Sequence, residues 1–284
     1  MIFKVFDVAQ GACSLLISPT GKREMVDFGC SRDWSPFNHV FKNLLGPDQT
    51  LHRLVLTHHH GDHLSDIPNL GSRRPELVLR RRFEGQYYEA AKKSNSTEGQ
   101  RYAEQFAKIF DSWTGEPDKS KVSEEAWGMV FGHYQLSVDE AATVSNSDNS
   151  LVNNCSFVRL YKTPCAKILL TGDIEKEGLN LLLKSHRTFA TDILGTNILV
   201  APHHGHKTGF STELFEAMGK PDVVIASIIS GDEYVDSRYS SSDFVKGIND
   251  GKGGTIRLMT TRKYGAMTIR CNKDGSFQID CYTR

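Results

Sequence analysis

The chain of 284 residues has no excess of either charge: 34 lysines and arginines balance 34 aspartates and glutamates. A global basic field is therefore excluded as the means of holding nucleic acid, although a local patch is not. No apolar stretch is long enough to span a bilayer. The opening, Met1-Ile2-Phe3-Lys4-Val5-Phe6-Asp7, lacks the pattern of a signal peptide. A cytoplasmic protein without a membrane segment is expected. Cysteine is sparse: Cys13, Cys30, Cys155, Cys165, Cys271 and Cys281, none of them in a Cys-x-x-Cys pair. Several lie in apolar strand-like runs, so reduced and mostly buried thiols are expected. Cys30 and Cys155 lie close in sequence to the segments singled out below. No repeat of fixed short period is present, and the length suits one large domain over residues 1–284.

What the chain does have is a concentration of metal-binding side chains. Leu54-Val55-Leu56-Thr57 reads as a buried strand that stops at His58-His59-His60-Gly61-Asp62-His63. If the extended backbone continues past Thr57, alternate side chains point the same way, so His58 and His60 face one point and His59 turns away. Gly61 lets the chain bend, bringing Asp62 and His63 round to the same pocket. Imidazoles with one carboxylate suit zinc, manganese or iron and need no thiolate. A polar loop that happens to be rich in histidine explains the composition but not the spacing.

Residues 2–8 and 13–18 read as a hairpin around Ala9-Gln10-Gly11-Ala12. A strand ends at Asp27, and residues 36–46 read as a short helix. Within 71–130, Arg73, Arg74, Arg80, Arg81 and Arg82 surround a short strand, Leu77-Val78-Leu79. A solvated strand edge is favoured there over a phosphate-contacting patch. Tyr102, Phe106, Ile109, Phe110 and Trp113 fall at helical spacing, as on a helix packed against the core. Ser94–Gly99, Thr114–Pro117 and Ser145–Ser150 read as loops. Residues 129–138 and the run from Asn153 to Leu160 read as strands. Lys167-Ile168-Leu169-Leu170-Thr171-Gly172-Asp173 is a strand that exposes a carboxylate at its end, well placed to bridge two cations. Residues 175–187 read as an amphipathic helix, and Ile198-Leu199-Val200-Ala201-Pro202 as a buried strand ending at His203-His204-Gly205-His206. Helices at 211–219 and near 241–249, and strands at 222–228, 255–260, 265–271 and 276–282, complete the chain.

The His-x-His-x-Asp-His run resembles the metallo-β-lactamase superfamily. Asp7-Val8-Ala9-Gln10-Gly11-Ala12-Cys13, Thr171-Gly172-Asp173 and Pro202-His203-His204-Gly205 extend the resemblance, most closely to the ComEC-like domains of DNA-uptake proteins. The resemblance implies an αββα sandwich, two mixed β-sheets flanked by helices. It implies His58, His60, Asp62, His63, Asp173 and His204 as ligands of two divalent ions, zinc or manganese. Asp27 supports the metal loops by hydrogen bonding, unless it only caps a turn. His203 orients a ligand or touches substrate. The segment at about 71–130 resembles an insertion or lid, and Leu64–Leu70 the helix start that follows the motif.

Two departures stand out. No third histidine occupies the usual place before Asp173, and His133 lies too far upstream; Asn153 and Ser156 match the Asn-x-x-Ser of ComEC-like domains instead. Asn153 then ligates weakly or holds a metal water, or simply closes the preceding loop. Tyr239-Ser240-Ser241-Ser242 replaces a Tyr followed by His and Pro. The implied activity is metal-dependent hydrolysis of a phosphodiester, in nucleic acid or a nucleotide, with Asp62, Asn153 and His203 as the catalytic set. A hydrolase of an ester, lactone or amide is the alternative. A partner-regulated protein with a degenerate site is another, and a protein partner is left open.

Overall fold

Alternation along short apolar strands sorts neighbouring side chains onto opposite faces, and that alone builds four layers here. The computed structural model describes residues 1–45, 51–111, 123–163, 165–229, 234–272 and 274–282. The strands are β1 (Ile2–Val5), β2 (Ser14–Ile17), β3 (Arg23–Val26), β4 (Arg53–Val55), β5 (Leu77–Leu79), β6 (Val130–Tyr134), β7 (Val158–Lys162), β8 (Lys167–Leu170), β9 (Ile198–Val200), β10 (Val223–Ala226), β11 (Ile248–Asn249), β12 (Thr255–Ile256), β13 (Leu258–Thr260), β14 (Ala266–Cys271) and β15 (Phe277–Tyr282). They form one sheet in the order β15-β14-β1-β2-β3-β4-β5, a second in the order β13-β10-β9-β8-β7-β6, and a small β11-β12 hairpin. Both large sheets are mixed: β3, β4 and β5 run parallel, as do β8, β9, β10 and β13, while the remaining pairs are antiparallel.

The two sheets face each other. Phe3, Leu16, Val26 and Val55 of the first meet Tyr161, Ile168, Leu170, Ile198 and Ile225 of the second in one core. Their immediate neighbours point outward. Leu15, Met25 and Leu54 pack under Phe37, Phe106 and Phe110. Leu160, Leu169, Leu199 and Val224 pack under Leu151, Leu179, Leu182 and Leu214 from the helices Asp148–Asn154, Lys176–Ser185 and Thr212–Met218. Each of these fully buried side chains contributes about 1.5–3 kcal/mol of burial.

Several local expectations need correction. The run Leu64–Leu70 makes only a 3₁₀ turn at Ile67–Asn69. Residues 138–144 and 148–154 are helices, where a strand end and a polar loop were expected. The reason is that Ser and Asp mark helix starts as readily as turns: Ser137 forms a capping box with Glu140, and Ser147 accepts from the Ser150 amide. Asn153 therefore ends a helix rather than opening a strand. Gly85–Ser94 is also helical, and the expected loop after it shrinks to Asn95-Ser96 before the Thr97–Asp111 helix. No helix forms at 241–249, where a 3₁₀ turn at Ser237–Ser240 and strand β11 stand. Gly46, Trp113 and the Thr114–Pro117 loop lie outside the described residues. Among the described residues, no helix is long and apolar enough to cross a membrane.

The cysteines also depart from expectation. Cys13 and Cys155 are buried thiols, Cys30 is half-buried and Cys281 exposed, but Cys165 and Cys271 form a disulfide. Cys165 precedes β8 in the second sheet and Cys271 ends β14 in the first, so the bond staples the sandwich. Spacing could not reveal a pair 106 residues apart that only sheet packing brings together. A bond closing so long a loop restricts the unfolded chain, typically by about 2–4 kcal/mol. Dithiothreitol, or the double substitution Cys165→Ser and Cys271→Ser, is therefore expected to lower the melting temperature while leaving metal content unchanged. An unshifted melt would show that the bond adds no stability.

Candidate metal centre

The carboxyl ends of β3, β4, β8 and β9 lie along one rim of the sandwich, and the chain leaves each through a polar loop. Parallel strands put these loops side by side, the usual place for a site in α/β architecture. β3 delivers Asp27, β4 the His58–His63 run, β8 Asp173, and β9 His203 and His204.

Asp62, His63, Asp173 and His204 converge, each offering one ligand atom and all four atoms within 4.8 Å of one another. His63 Nε2 lies 3.3 Å from Asp173 Oδ1, His204 Nε2 lies 3.3 Å from Asp173 Oδ2, and His204 Nε2 is 3.4 Å from Asp62 Oδ2. Yet the buried Nε2 atoms of His63 and His204 have no hydrogen-bond partner among the described residues. These atoms aim at a common point rather than at each other. That is how neutral imidazole nitrogens and carboxylates are disposed around a cation, and the donor set fits a divalent ion. His58 and His60 sit alongside: His58 Nε2 is 3.0 Å from His60 Nδ1 and 3.8 Å from Asp173 Oδ2. The Asp173 carboxylate thus stands between the two groups of histidines.

A layer of hydrogen bonds behind these atoms fixes their orientation. Asp27 is buried; its Oδ2 meets His63 Nδ1 at 2.9 Å, and its Oδ1 accepts from the Thr57 amide at 2.7 Å. Thr57 Oγ1 also reaches His58 Nδ1 and His63 Nδ1 at 3.1 and 3.3 Å. Ser156 Oγ lies 3.3 Å from His58 Nδ1 and accepts from the Asp173 amide at 3.1 Å. His59 turns away, as its strand phase requires: it stacks on Phe83 and bonds Tyr87 Oη at 3.1 Å. His60 Nε2 meets Ser94 Oγ at 3.1 Å, and Asn95 clamps the loop through the Gly61 amide and the His59 carbonyl. Thr57, Ser94, Asn95 and Tyr87 escaped the reading of the sequence. A threonine directly before the motif was the one local signal available.

Backbone strain gathers at the same rim. Asp27, His203 and His204 all have positive φ, at 63°, 48° and 56°. Non-glycine residues rarely adopt this conformation; each costs of order 1–3 kcal/mol and persists only where its surroundings enforce it. Gly61 plays a different part from the one expected. It has no left-handed φ; its value is space, since a Cβ there would come within 2.6 Å of the Gly99 Cα.

Charges divide the cluster in two. Burial alone would push the Asp173 carboxyl up, but the facing His204 and His63 imidazoles hold it well below the usual range. Burial would also lower His204 and His63. At His204, Asp173 and Asp62 outweigh burial and raise the imidazole to about 10; Asp173, Asp27 and Asp62 raise His63 in the same way. His58 is pushed down by burial and by His63, and burial takes His60 down to about 4. Those two imidazoles are neutral at neutral pH, the state that ligates.

Asn153 and His203, also singled out by sequence, border a cleft of about 470 Å³ in front of the cluster. Asn153 is buried; its Nδ2 donates to Glu175 Oε1 at 3.2 Å, and its Oδ1 has no partner among the described residues. His203 is half-buried, with Nδ1 2.7 Å from Thr208 Oγ1. His206 also bonds Thr208, at 2.9 Å, and its ring lies 5.4 Å from that of His203. Ser94, Asn95, Ser96, Glu98, Gly99 and Tyr102 form the opposite wall. The arginines do not make a free patch. Arg81 reaches inward to the Leu136 carbonyl and Gln135, and exposed Arg82 lies 3.9 Å from Glu84.

A model of the metallo-beta-lactamase superfamily matches residues 7–135. That span includes β2, Asp27 and the His58–His63 run, so the likeness to this superfamily covers the first part of the candidate site. The α/β fold, with mixed sheets flanked by helices, is consistent with the metallo-β-lactamase fold. No curated protein matches in sequence. Three solved structures illustrate the likeness. Tm1679, a metal-dependent hydrolase of the beta-lactamase superfamily, is 16% identical over 95% of this chain and 98% of its own, with a TM-score of 0.49. A diphosphatase from the PhnP family is 13% identical over 99% of both chains, with a TM-score of 0.44. Human tRNase Z, short form, is 10% identical over 83% of this chain and 95% of its own, with a TM-score of 0.42.

Proposed function

We propose that the protein is a metal-dependent phosphodiesterase, acting on nucleic acid or a nucleotide, with two divalent ions at the rim cluster. The observation that carries this reading is the convergence of Asp62, His63, Asp173 and His204 on one point with His58 and His60 beside it. Asp62, His63, Asp173 and His204 form the firmer of two binding positions. His58, His60 and Asp173 form the looser one, with the unpartnered Asn153 Oδ1 in place of a third histidine. Zinc or manganese ions held there supply Lewis acidity and an activated water.

The chain's own groups do the rest. Asp62, with a side chain about one-third exposed, is the most accessible of the four converging residues and orients the attacking water. His203, fixed through Thr208, contacts the phosphoryl oxygens of a bound substrate. The wall from Ser94 to Tyr102, within the segment at about 71–130, acts as the lid that limits access of bulk water. The likeness of the site segments to ComEC-like domains favours nucleic acid among phosphodiesters.

Hydrolysis of bis(p-nitrophenyl) phosphate tests the proposal directly. Turnover is expected with added manganese or zinc and is expected to vanish with a chelator. Chelator-sensitive hydrolysis of an ester, lactone or amide substrate, with none of the phosphodiester, would transfer the same site to that chemistry.

A further inference from the structure

A cleft of about 1190 Å³, larger than the one in front of the metal cluster, lies beside that cluster rather than over it. His206 lines it, and the His206 ring is 5.4 Å from that of His203, which borders the cleft in front of the cluster. The His203–His206 loop therefore borders both clefts. The larger one carries four cationic side chains, Lys207, Lys252, Arg257 and Lys263, and two half-buried aromatic rings, Tyr234 and Tyr264. The three lysines are exposed and make no ion pair among the described residues, while Arg257 Nε donates to the Val245 carbonyl. Two carboxylates also line the cleft, and both are engaged. Asp236 holds Arg238 through both oxygens at 2.9 and 2.7 Å, and Asp250 accepts from the Lys252 and Gly254 amides of its own turn. The Tyr234 ring lies 5.0 Å from that of His206, at the end of the cleft next to the metal cluster.

We infer that this cleft is the binding groove for a single-stranded nucleic acid, which reaches the metal cluster over the His203–His206 loop. Cations that track a backbone, interleaved with aromatic faces on which bases stack, are the physical requirements for holding a single strand without sequence preference. The chain has no overall field to attract a polyanion, so any such binding has to rest on a local concentration of basic groups like this one. The volume is far more than one phosphate needs, which points to an extended ligand. The inference rests on the phosphodiesterase reading for what happens at the metals, but not for binding.

The test is fluorescence anisotropy of a short fluorescein-labelled oligodeoxythymidylate, titrated with metal-free wild type and with the triple variant Lys207→Ala, Lys252→Ala, Lys263→Ala at several salt concentrations. The variant is expected to bind about tenfold or more weakly at low salt, and the slope of log affinity against log salt is expected to shrink by about 2, three lost contacts at roughly 0.7 each. Tyr234→Ala is expected to weaken binding by about tenfold with an unchanged slope, as loss of stacking predicts. None of the three lysines belongs to the proposed ligand or catalytic set, so bis(p-nitrophenyl) phosphate turnover by the triple variant is expected to stay at the wild-type level. Equal affinity and slope in the triple variant, or no binding by wild type, would overturn the groove. If wild type fails to turn over the small phosphodiester yet binding follows the lysines, the groove stands and the catalytic reading falls.

Discussion

Asp173→Ala is expected to leave the sandwich folded but unable to retain divalent metal. The Asp173 carboxylate lies within 4 Å of three of the cluster's imidazoles: Oδ1 faces His63, and Oδ2 faces His204 and His58. Its removal takes a ligand from both proposed positions at once. Loss of a hydrogen-bonding partner behind a ligand commonly costs 10–100-fold in affinity; loss of a shared ligand is expected to cost more, at least about 100-fold for each ion. Phosphodiester turnover should then fall by about 10³-fold or more, equivalent to ~4 kcal/mol of lost transition-state stabilisation. The measurement is metal content by mass spectrometry after gel filtration, set beside circular dichroism and kcat/KM. Wild-type metal content in the variant would sink the proposed ligand set. Asp62→Asn offers a graded comparison: it removes one ligand from one position only, so part of the metal should remain.

The second large effect concerns stability and lies away from the metal. Glu24 of β3 is fully buried between the sheets. It meets Arg53, the register partner beside it on β4, and Arg159 and Tyr161 from β7 of the facing sheet. Arg159 contributes three hydrogen bonds of 3.0–3.2 Å, and Arg53 lies 4.3 Å from the Trp127 ring. One carboxylate thus holds two buried guanidinium groups together. Burial alone would raise the Glu24 carboxyl, but Arg159 and Arg53 hold it below its ordinary value of 4.5. The two arginines respond differently, since burial lowers Arg53 whereas Glu24 lifts Arg159, but both remain cations throughout the accessible range.

Glu24→Gln is therefore expected to destabilise the protein by about 3–5 kcal/mol, because it leaves two buried like charges facing each other. A drop in melting temperature of roughly 10 °C should accompany it. The sign of the pH dependence follows from the lowered carboxyl. The contribution of Glu24 is fully present above its unfolded pKa, near 4.5, and is lost as pH falls through the lower folded value. Urea unfolding of wild type should weaken on acidification below that point, and Glu24→Gln should flatten this part of the profile. Replacing Glu24, Arg53 and Arg159 together with apolar residues of similar size is expected to recover much of the loss, since no orphan charge then remains. A profile in Glu24→Gln as steep as in wild type would assign the acid sensitivity to other carboxylates.

The parts of this protein legible in its sequence are those whose information is local. The His58–His63 run follows one strand, so strand phase alone orients His58 and His60 forward and sends His59 into the packing of Phe83 and Tyr87. Alternation in Leu15-Leu16, Met25-Val26 and Leu54-Val55 likewise encodes which side chain enters which core. Even the bound on membrane-spanning helices is a matter of counting along the chain. Where one residue type serves two local purposes, the reading failed: Ser137 and Ser147 begin helices, although serine marks turns equally well.

Only the tertiary structure decided what depends on segments meeting. The sequence resemblance suggested that Asp173 and His204 join Asp62 and His63, but the meeting itself requires β8 and β9 to end at the same rim as β4. The ion network of Glu24 with Arg159, the Cys165–Cys271 bond and the cleft beside His206 have no short-range signal at all. Each joins residues far apart along the chain, through meetings that the order of strands permits and no periodicity records. Local patterns specify which face a side chain takes. The topology of the sandwich specifies what that face meets, because strand order brings distant residues into contact only once both sheets are assembled.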